Sequence, residues 1–408
     1  MFKENDMFVL VVNAGSSSLK YQLFDMDTEK VLAKGLCDRI TLEGSSISHK
    51  NLVNGKEHKE LIAMPNHTAA TQAMIDALVN ADHGVIKSVS DISAVGHRVV
   101  QGGPWLTKPT LVTEETFKIL GQCIDLAPLH TGPHLEGIKA CQDVMGNIPM
   151  VMVIDTSFHS TMPDYACTYP IDIKVARKHN IKRYGAHGTS HRYVAQECAK
   201  YLDKPVEETK IITCHLGNGS SISAVKGGKV IDTSMGFTPL DGIIMGSRCG
   251  SIDAAIVPYV MEKEGIEAKD IGNWMNKKCG LLGVSGVSSD LRDVHAEMDK
   301  GNADAKLAYE ILVYGIKKFI GSYTAAMNGV DAIVFTAGIG ENDKAVRFDA
   351  LADLDYLGIK VDAEKNDNAR SLPAPCDISA DGSKVRVFVI PTNEELVIAR
   401  DTKAVLEM

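Results

Sequence analysis

Five charged or titratable residues stand beside glycine or at the polar end of an apolar run. They are Arg98 in AVGHRVVQGG, Asp155 closing MVMVID, His187 in RYGAHGTSH, Arg248 in MGSRCG and Glu394 in IPTNEE. Residues so placed are held near a ligand more often than ordinary surface charges are. Together they are the types that phosphoryl transfer needs. The transferred group spreads negative charge over three oxygens, so its chemistry is mostly positioning and charge neutralisation. Arginine meets phosphate or carboxylate as a planar fork. A carboxylate and an amide oxygen hold Mg²⁺, with waters completing its shell.

Three glycine-rich turns could cradle the phosphates: residues 13–18 (NAGSSS), 216–221 (LGNGSS) and 338–342 (GIGEN). Glycine lets backbone N–H groups approach an anion, and serine adds hydroxyl donors. None has the order of a Walker A loop, and none continues as a dinucleotide-binding βαβ unit does. One such turn alone reads as a hairpin. Three, each after an apolar strand, point to a phosphate-binding cleft between domains. Ser16 and Ser18 either face phosphate or only satisfy the backbone of their turn.

Elements must hold these residues in place. A chain of 408 residues suits two or three domains, and an apolar fraction of 45% is enough for large cores. The net charge of −9 is interspersed, which argues against a nucleic-acid partner. No apolar stretch nears the roughly 20 residues that span a bilayer, so no membrane partner is expected. The run Phe8–Val12 is too short for a secretory signal core, and nine scattered cysteines without a CxxC pair read as reduced cytosolic thiols. The expected location is cytoplasmic.

Alternation and apolar runs predict strands over 7–12, 19–25, 30–36, 92–103 and 150–155. In the second half they predict a strand–turn–strand–GG hairpin over 211–232, then strands at 331–336 and from 385. Helices are expected over 67–81, over 113–127 with Thr113 as N-cap, over 133–146 with Pro133 at N1, over 303–328 capped by Gly329, and at the C-terminus. GIGEN is expected as a turn. Gly15-Ser16-Ser17 and Gly219-Ser220-Ser221 each open a three-strand run followed by helices. This suggests an internal duplication in an α/β protein. The expected domains are 1–155 plus 392–408, carrying the acyl and metal side, and 156–391, carrying the nucleotide side.

NAGSSSLKYQLFD, VGHRVVQGG, LAPLH, DTSFH, RYGAHGTSH, HLGNGSS, DTSMGFTPLDG, MGSRCG, GIGEN and IPTNEELVIARDT, in that order over residues 8–403, closely resemble the acetate kinase (acetokinase) family. The resemblance implies two duplicated actin-like (ribonuclease H-like) domains with an interdomain active-site cleft, and a homodimer. It implies reversible, Mg²⁺-dependent, in-line transfer of the ATP γ-phosphate to acetate, giving acetyl phosphate and ADP, with Mn²⁺ able to substitute. By motif, Asn13 and Glu394 correspond to metal positions. Lys20, with Ser16 and Ser18, and His215, Leu216, Gly217, Asn218 and Gly219 correspond to ATP-phosphate contacts. Asp290, Leu291 and Arg292, and Gly338, Ile339, Gly340, Glu341 and Asn342, correspond to adenosine contacts. Arg98 corresponds to the substrate-carboxylate residue, Asp155 to the catalytic carboxylate, and His187 and Arg248 to transition-state stabilisers. Val100, Leu129 and Pro239 correspond to a small apolar pocket, with His130 either touching substrate or organising the site.

Two departures bear on that pocket. Ala186 stands where the family often has Phe, and Thr131-Gly132 replaces an Asn and shifts the proline. A propionate or other short-chain acyl kinase is therefore the alternative. A rival of another class is an actin-like ATPase acting as a chaperone or filament, but the chain has no spare length for an added substrate-binding domain. Among neighbours, His97 is expected to hydrogen-bond locally, Tyr184 to pack, and Glu395 to face away from Glu394.

Overall fold

In a computed structural model, residues 7–370 and 374–408 are described. The first six residues of the expected N-terminal domain lie outside them. The chain divides into one unit of Met1–Ser157 with Asn393–Met408 and a second of Phe158–Thr392.

The first unit holds β1 (Phe8–Ala14), β2 (Ser18–Asp25), β3 (Lys30–Asp38), β4 (Ser46–Asn51), β5 (Glu57–Leu61), β6 (Ala94–Val99), β7 (Thr110–Leu111) and β8 (Met150–Ile154). Their order across the sheet is β5-β4-β3-β2-β1-β6-β8-β7. The second unit holds β9 (Lys210–Leu216), β10 (Ser220–Lys226), β11 (Lys229–Thr233), β12 (Ala332–Thr336), β13 (Cys376–Asp377) and β14 (Arg386–Val389), in the order β11-β10-β9-β12-β14-β13.

The six strands of the second sheet match six of the first, in which β4 and β5 extend the edge. In each, the first three strands pair antiparallel, two parallel strands follow the first, and a short antiparallel strand closes the edge. The Gly-Ser-Ser triplets do not occupy matching places. Gly15, Ser16 and Ser17 lie in the turn before β2, whereas Leu216 pairs with Ser220, so Ser220 and Ser221 already belong to β10.

Central strands are apolar because both faces are covered. In the first unit Phe8, Leu10 and Val12 pack on Ala70, Met74 and Leu78 of the helix His67–Val79. The other face receives the helix Glu394–Leu406. A Cβ at Gly96 would stand 2.4 Å from Thr402 Oγ1, so only glycine lets that helix sit so close to β6. The close fit places Glu394, the helix's first residue, at the carboxyl ends of β6 and β8. In the second unit Leu312, Ile316 and Ile320 of the helix Ala303–Met327 pack on Ile212 and Ile222. Val194, Ala195 and Cys198 of the helix Gly188–Tyr201 cover Ile211, Val334 and Phe388 on the opposite face. Each such buried aliphatic side chain contributes about 2 kcal/mol.

Several elements differ from expectation. Thr113 caps as anticipated, its hydroxyl accepting from Thr116 N, but its helix ends at Gly121. The next helix is Pro128–Met145 and leaves Pro133 inside it. Pro128 takes N1, where an N–H would have no helical partner, and Pro133 lies one turn further in, where it forgoes a bond to the Leu129 carbonyl, so proline alone does not mark the start. GIGEN is a short helix, Ala337–Asn342, because the Glu341 carboxylate accepts from Ala337 N at 2.8 Å and closes it. β4 and β5 were not expected because SISHKN and EHKEL are polar, β5 being the exposed edge of the sheet. Among the described residues no helix is long and apolar enough to cross a membrane.

Candidate active site

The first unit gathers its chemistry at the carboxyl ends of parallel strands. β6 and β8 are neighbours in register, Val99 opposite Ile154. Arg98 near the end of β6 and Asp155 just past β8 therefore meet, Arg98 Nη2 donating to Asp155 Oδ2 at 2.6 Å. The Asp155 side chain is 1% exposed and that of Arg98 20%. The carboxylate drives the Arg98 pKa above its ordinary value, ahead of the opposing effect of burial. Glu394 Oε2 lies 3.7 Å from Arg98 Nε. Arg98, Asp155 and Glu394 thus form one charged group, of which the aspartate is the most buried member.

Asn13 and Lys20 stand directly opposite each other on β1 and β2 and so share a sheet face. Both line a cavity of about 340 Å³, together with Glu395. Glu395 opens on this cavity, whereas Glu394 does not line it and lies beside Arg98. Ser16 is exposed and Ser18 half-buried, and Gly15 N donates to Ser18 O at 2.8 Å. Val100 follows β6 and is half-buried, whereas Leu129 is 77% exposed and His130 is exposed. His130 stacks on His134 with ring centroids 6.4 Å apart.

In the second unit, His187 caps the helix Gly188–Tyr201 with a left-handed φ of 59°, a strained place for a non-glycine residue. Its ring stacks on His215 at 4.1 Å and 21°. Gly219 in the turn between β9 and β10 meets two of the expected residues. A Cβ there would lie 3.5 Å from Arg248 Nη1 and 3.6 Å from His187 Nε2. Arg248 is half-buried, donates to Pro239 O at 3.0 Å, and has its pKa lowered by desolvation. Cations with few partners of their own are suited to a developing phosphoryl charge.

The remaining expected contacts surround this turn. At Gly246 a Cβ would strike Asn218 Oδ1 at 2.3 Å and Ser289 O at 2.8 Å, so the loop before Arg248 packs on the turn and on the segment leading to Asp290. At Gly217 a Cβ would touch the Ala337 methyl at 3.8 Å, and at Gly340 the Cys214 carbonyl at 3.5 Å, which seats Ala337–Asn342 on the end of β9. Gly338 and Asn342 are exposed and Ile339 half-buried. The Glu341 carboxylate is turned inward, accepting from Ala337 N and Thr392 N. Leu216 and Leu291 are core residues. Asp290 caps the helix Leu291–Asp299, and the exposed Arg292 folds back on it. That contact pulls the Asp290 pKa down to about 2, chiefly through the side-chain hydrogen bond.

Sequence reading missed several residues. His97 makes no local hydrogen bond: its Nε2 has no partner, because β6 places it between Val12 and Met152 in the middle of the sheet. His134 is equally buried, and both imidazoles are pushed down to about 3, foremost by burial. Arg347 is fully buried and donates to the carbonyls of Gly340, Glu341, Asn366 and Ala369, fixing the GIGEN helix from below. Ser221, His191 and Thr213 form a hydroxyl–imidazole chain behind His187. The visible signals were the His-x-x-x-His spacing of HGTSH and hydroxyls recurring inside apolar strands. Among the described residues no cluster of three or more His, Cys, Asp or Glu could hold a metal ion.

Residues 8–400 match the Acetokinase family. The acetate kinase of Methanosarcina thermophila is 55% identical over 401 residues, covering 98% of this chain and 97% of that protein. The crystal structure of Porphyromonas gingivalis acetate kinase superposes with a TM-score of 0.93 at 42% identity, covering 98% of this chain and 100% of that one. A propionate kinase from Francisella tularensis superposes with a TM-score of 0.89 at 40% identity, covering 98% and 99%. The fold is the actin-like ATPase fold, and the chain belongs to the Acetokinase family.

Proposed function

We propose that the chain is an acetate kinase, transferring the ATP γ-phosphate to acetate reversibly and in line. The observation that carries this reading is the meeting of the Arg248 guanidinium and the His187 Nε2 edge at the side-chain-free backbone of Gly219. Two cationic or donor groups aimed at one glycine turn suit a phosphoryl group more than any other ligand.

Acetate is ionised near pH 7, so no base is needed to make it a nucleophile. Its carboxylate oxygen attacks the γ-phosphorus as the bond to the β,γ-bridging oxygen breaks, giving acetyl phosphate and ADP. Arg98 binds the acetate carboxylate, and Asp155 orients Arg98. Val100 in the first unit and Pro239 in the second are the residues assigned to the methyl group, and Leu129, 77% exposed, would have to be covered by substrate to join them. Arg248 and His187 donate to the equatorial oxygens as charge develops, and the 216–219 turn with Lys20 holds the remaining phosphates. The segments 290–292 and 338–342 receive the adenosine. Asn13 and Glu394 are oxygen donors of the type Mg²⁺ or Mn²⁺ takes, and two protein ligands suffice for a metal that keeps most of its waters. Such an ion would neutralise charge between the β- and γ-phosphates.

Ala186 supports a second reading. It is buried against Met235 and Met245, flexible side chains that can yield to a longer acyl group. A propionate preference is that alternative. Measuring kcat/KM for acetate, propionate and butyrate tests both readings, since one methylene in an apolar pocket is worth about 10- to 200-fold. A higher value for propionate would overturn the acetate assignment, and ATP turnover unaffected by any of the three acids would overturn the kinase.

We also infer a cytoplasmic homodimer. All nine cysteines are free thiols. Leu307, Ile311 and Tyr314, on one face of the helix Ala303–Met327, stay 39–63% exposed, as a surface awaiting a second copy would be. Light scattering tests it, and a monomer at micromolar concentration would refute it.

A further inference from the structure

We propose that the Ser221 hydroxyl positions His187, fixing which ring nitrogen carries its proton so that Nε2 donates toward the Gly219 turn. This rests on the reading of His187 as a phosphoryl-stabilising residue.

Ser221 is the second residue of β10 and is fully buried. Its Oγ lies 2.8 Å from His187 Nδ1 and 2.7 Å from His191 Nε2. His191 is fully buried too, and its Nδ1 lies 2.7 Å from Thr213 Oγ1. Thr213 Oγ1 in turn can donate to Ser223 O at 3.4 Å. Burial among other imidazoles holds the His191 pKa well below its ordinary value, so His191 carries one ring proton.

A hydroxyl has one proton to give. Of the two nitrogens facing Ser221, one accepts that proton and the other must donate its own. The protonation of His187 is therefore tied to that of His191. Two arrangements satisfy the three hydroxyl–imidazole contacts. In the first, Thr213 donates to His191 Nδ1, His191 Nε2–H donates to Ser221, and Ser221 donates to His187 Nδ1. Neutral His187 then carries its proton on Nε2. In the second the chain runs the other way: His187 Nδ1–H donates to Ser221, Ser221 to His191 Nε2, His191 Nδ1–H to Thr213, and Thr213 to Ser223 O. Neutral His187 would then lack a hydrogen on Nε2, so with an anionic oxygen at the turn this arrangement serves only the protonated ring, which carries hydrogens on both nitrogens.

The Nε2 edge faces the Gly219 turn, and an anionic oxygen there requires a hydrogen on Nε2. The first arrangement supplies it from neutral His187 and the second from the cation. Reversal moves only the Ser221 and Thr213 hydroxyl hydrogens and the His191 tautomer. Ser221 thus lets His187 donate from Nε2 in either charge state, with the facing charged and titratable groups being His191, His215 and Arg248. Stacking on His215 fixes the ring plane, and His215 is itself held by Ser190 Oγ at 2.8 Å from its Nδ1. The Ser221 bond fixes the remaining freedom, rotation within that plane.

The test is steady-state kinetics of Ser221→Ala, Ser221→Thr and His187→Ala with ATP and acetate, joined to ¹⁵N-histidine NMR of the unmodified protein. Ser221→Ala is expected to lower kcat about 10- to 100-fold with both KM values within threefold, and Ser221→Thr, which keeps the hydroxyl, to recover most of it. In the NMR spectrum with ADP and inorganic phosphate, neutral His187 is expected as the Nε2–H tautomer alone. If His187→Ala lowers kcat while Ser221→Ala does not, the positioning role is wrong. If His187→Ala itself leaves kcat unchanged, the reading of His187 is wrong. Should Ser221→Ala fail to fold, the NMR decides, and a neutral Nδ1–H tautomer would overturn the proposal.

Discussion

Arg98 and Asp155 form an unequal pair: the arginine side chain is 20% exposed, and the aspartate side chain whose carboxylate lies 2.6 Å from it is 1% exposed. Removing the two partners should therefore cost different amounts. Arg98→Ala takes the cation away from a buried carboxylate and is expected to destabilise the fold by about 3–5 kcal/mol. Asp155→Asn leaves the partly exposed arginine and is expected to cost about 1–2 kcal/mol. Urea unfolding at pH 7 measures both, and the reverse order would show that something else holds Asp155. The kinetic consequences should converge. Each variant is expected to lower kcat/KM for acetate about 10²-fold, since Asp155→Asn misaims the arginine that Arg98→Ala deletes.

Arg248 should separate catalysis from nucleotide binding. Its Nη1 is anchored to the Pro239 carbonyl while the guanidinium borders Gly219. Arg248→Ala is expected to lower kcat about 10²- to 10³-fold, the range seen when a preorganised donor to a developing anion is removed. The KM for ATP should change only a few-fold. Arg248→Lys should recover little, because a point charge cannot hold the Pro239 bond and present a planar fork together. Equal losses in kcat and in ATP affinity would make Arg248 a structural residue.

Much of this site was legible in the sequence for a simple reason. A charge that closes an apolar run, as Asp155 does, or lies between glycines, as His187 and Arg248 do, has few ways to be satisfied except near a ligand. Residues whose role depends on distant pairing were not legible. Ser221 reads as a turn serine until the pairing of β9 with β10 and the packing of the helix Gly188–Tyr201 bring it to two histidines, 34 and 30 residues away in sequence. Arg347 reads as an ordinary helix arginine until four carbonyl groups surround it. His97 looked like a locally satisfied polar residue because nothing nearby in sequence shows that β6 lies between two apolar strands. The duplication was faintly visible in two Gly-Ser-Ser triplets, yet what repeats is the strand plan, and the triplets are out of register within it.

Gly219 and Gly246 predict opposite outcomes for the same substitution. A Cβ at Gly219 would stand 3.5–3.6 Å from Arg248 and His187, ordinary contact distances, so Gly219→Ala should fold normally. It should instead fill space at the phosphate turn and raise the KM for ATP about tenfold. A Cβ at Gly246 would collide with Asn218 Oδ1 and the Ser289 carbonyl, so Gly246→Ala should lower stability by about 1–3 kcal/mol. Thermal unfolding beside ATP titrations checks both. An unstable Gly219→Ala with normal ATP affinity would contradict the placement.

His295 and Asp343 should give the second unit a pH-dependent clasp. His295 Nε2 lies 2.8 Å from Asp343 Oδ2, tying the helix that begins after Asp290 to the residue following the GIGEN helix. The hydrogen bond to Asp343 raises the His295 pKa above its usual value. Asp343 is lowered despite burial, the His295 bond and backbone N–H groups together outweighing the desolvation that opposes them. A raised histidine pKa means that the folded state binds the proton more tightly. Its contribution is complete below the unfolded histidine value of about 6.5 and is lost as pH rises through the folded value. The Asp343 contribution is complete above the unfolded aspartate value of about 3.9 and is lost as pH falls through its lowered folded value. The clasp should therefore be strongest between about pH 4 and 6.5. His295→Gln keeps a side-chain hydrogen-bonding group without the charge. It is expected to cost on the order of 1 kcal/mol at pH 6 and markedly less at pH 9. The KM for ATP should rise at pH 6 and approach the unmodified protein's at pH 9, because the segments assigned to adenosine lie at the two ends of the clasp. Urea unfolding and ATP titration at the two pH values measure this, and a destabilisation independent of pH would assign His295 to packing alone.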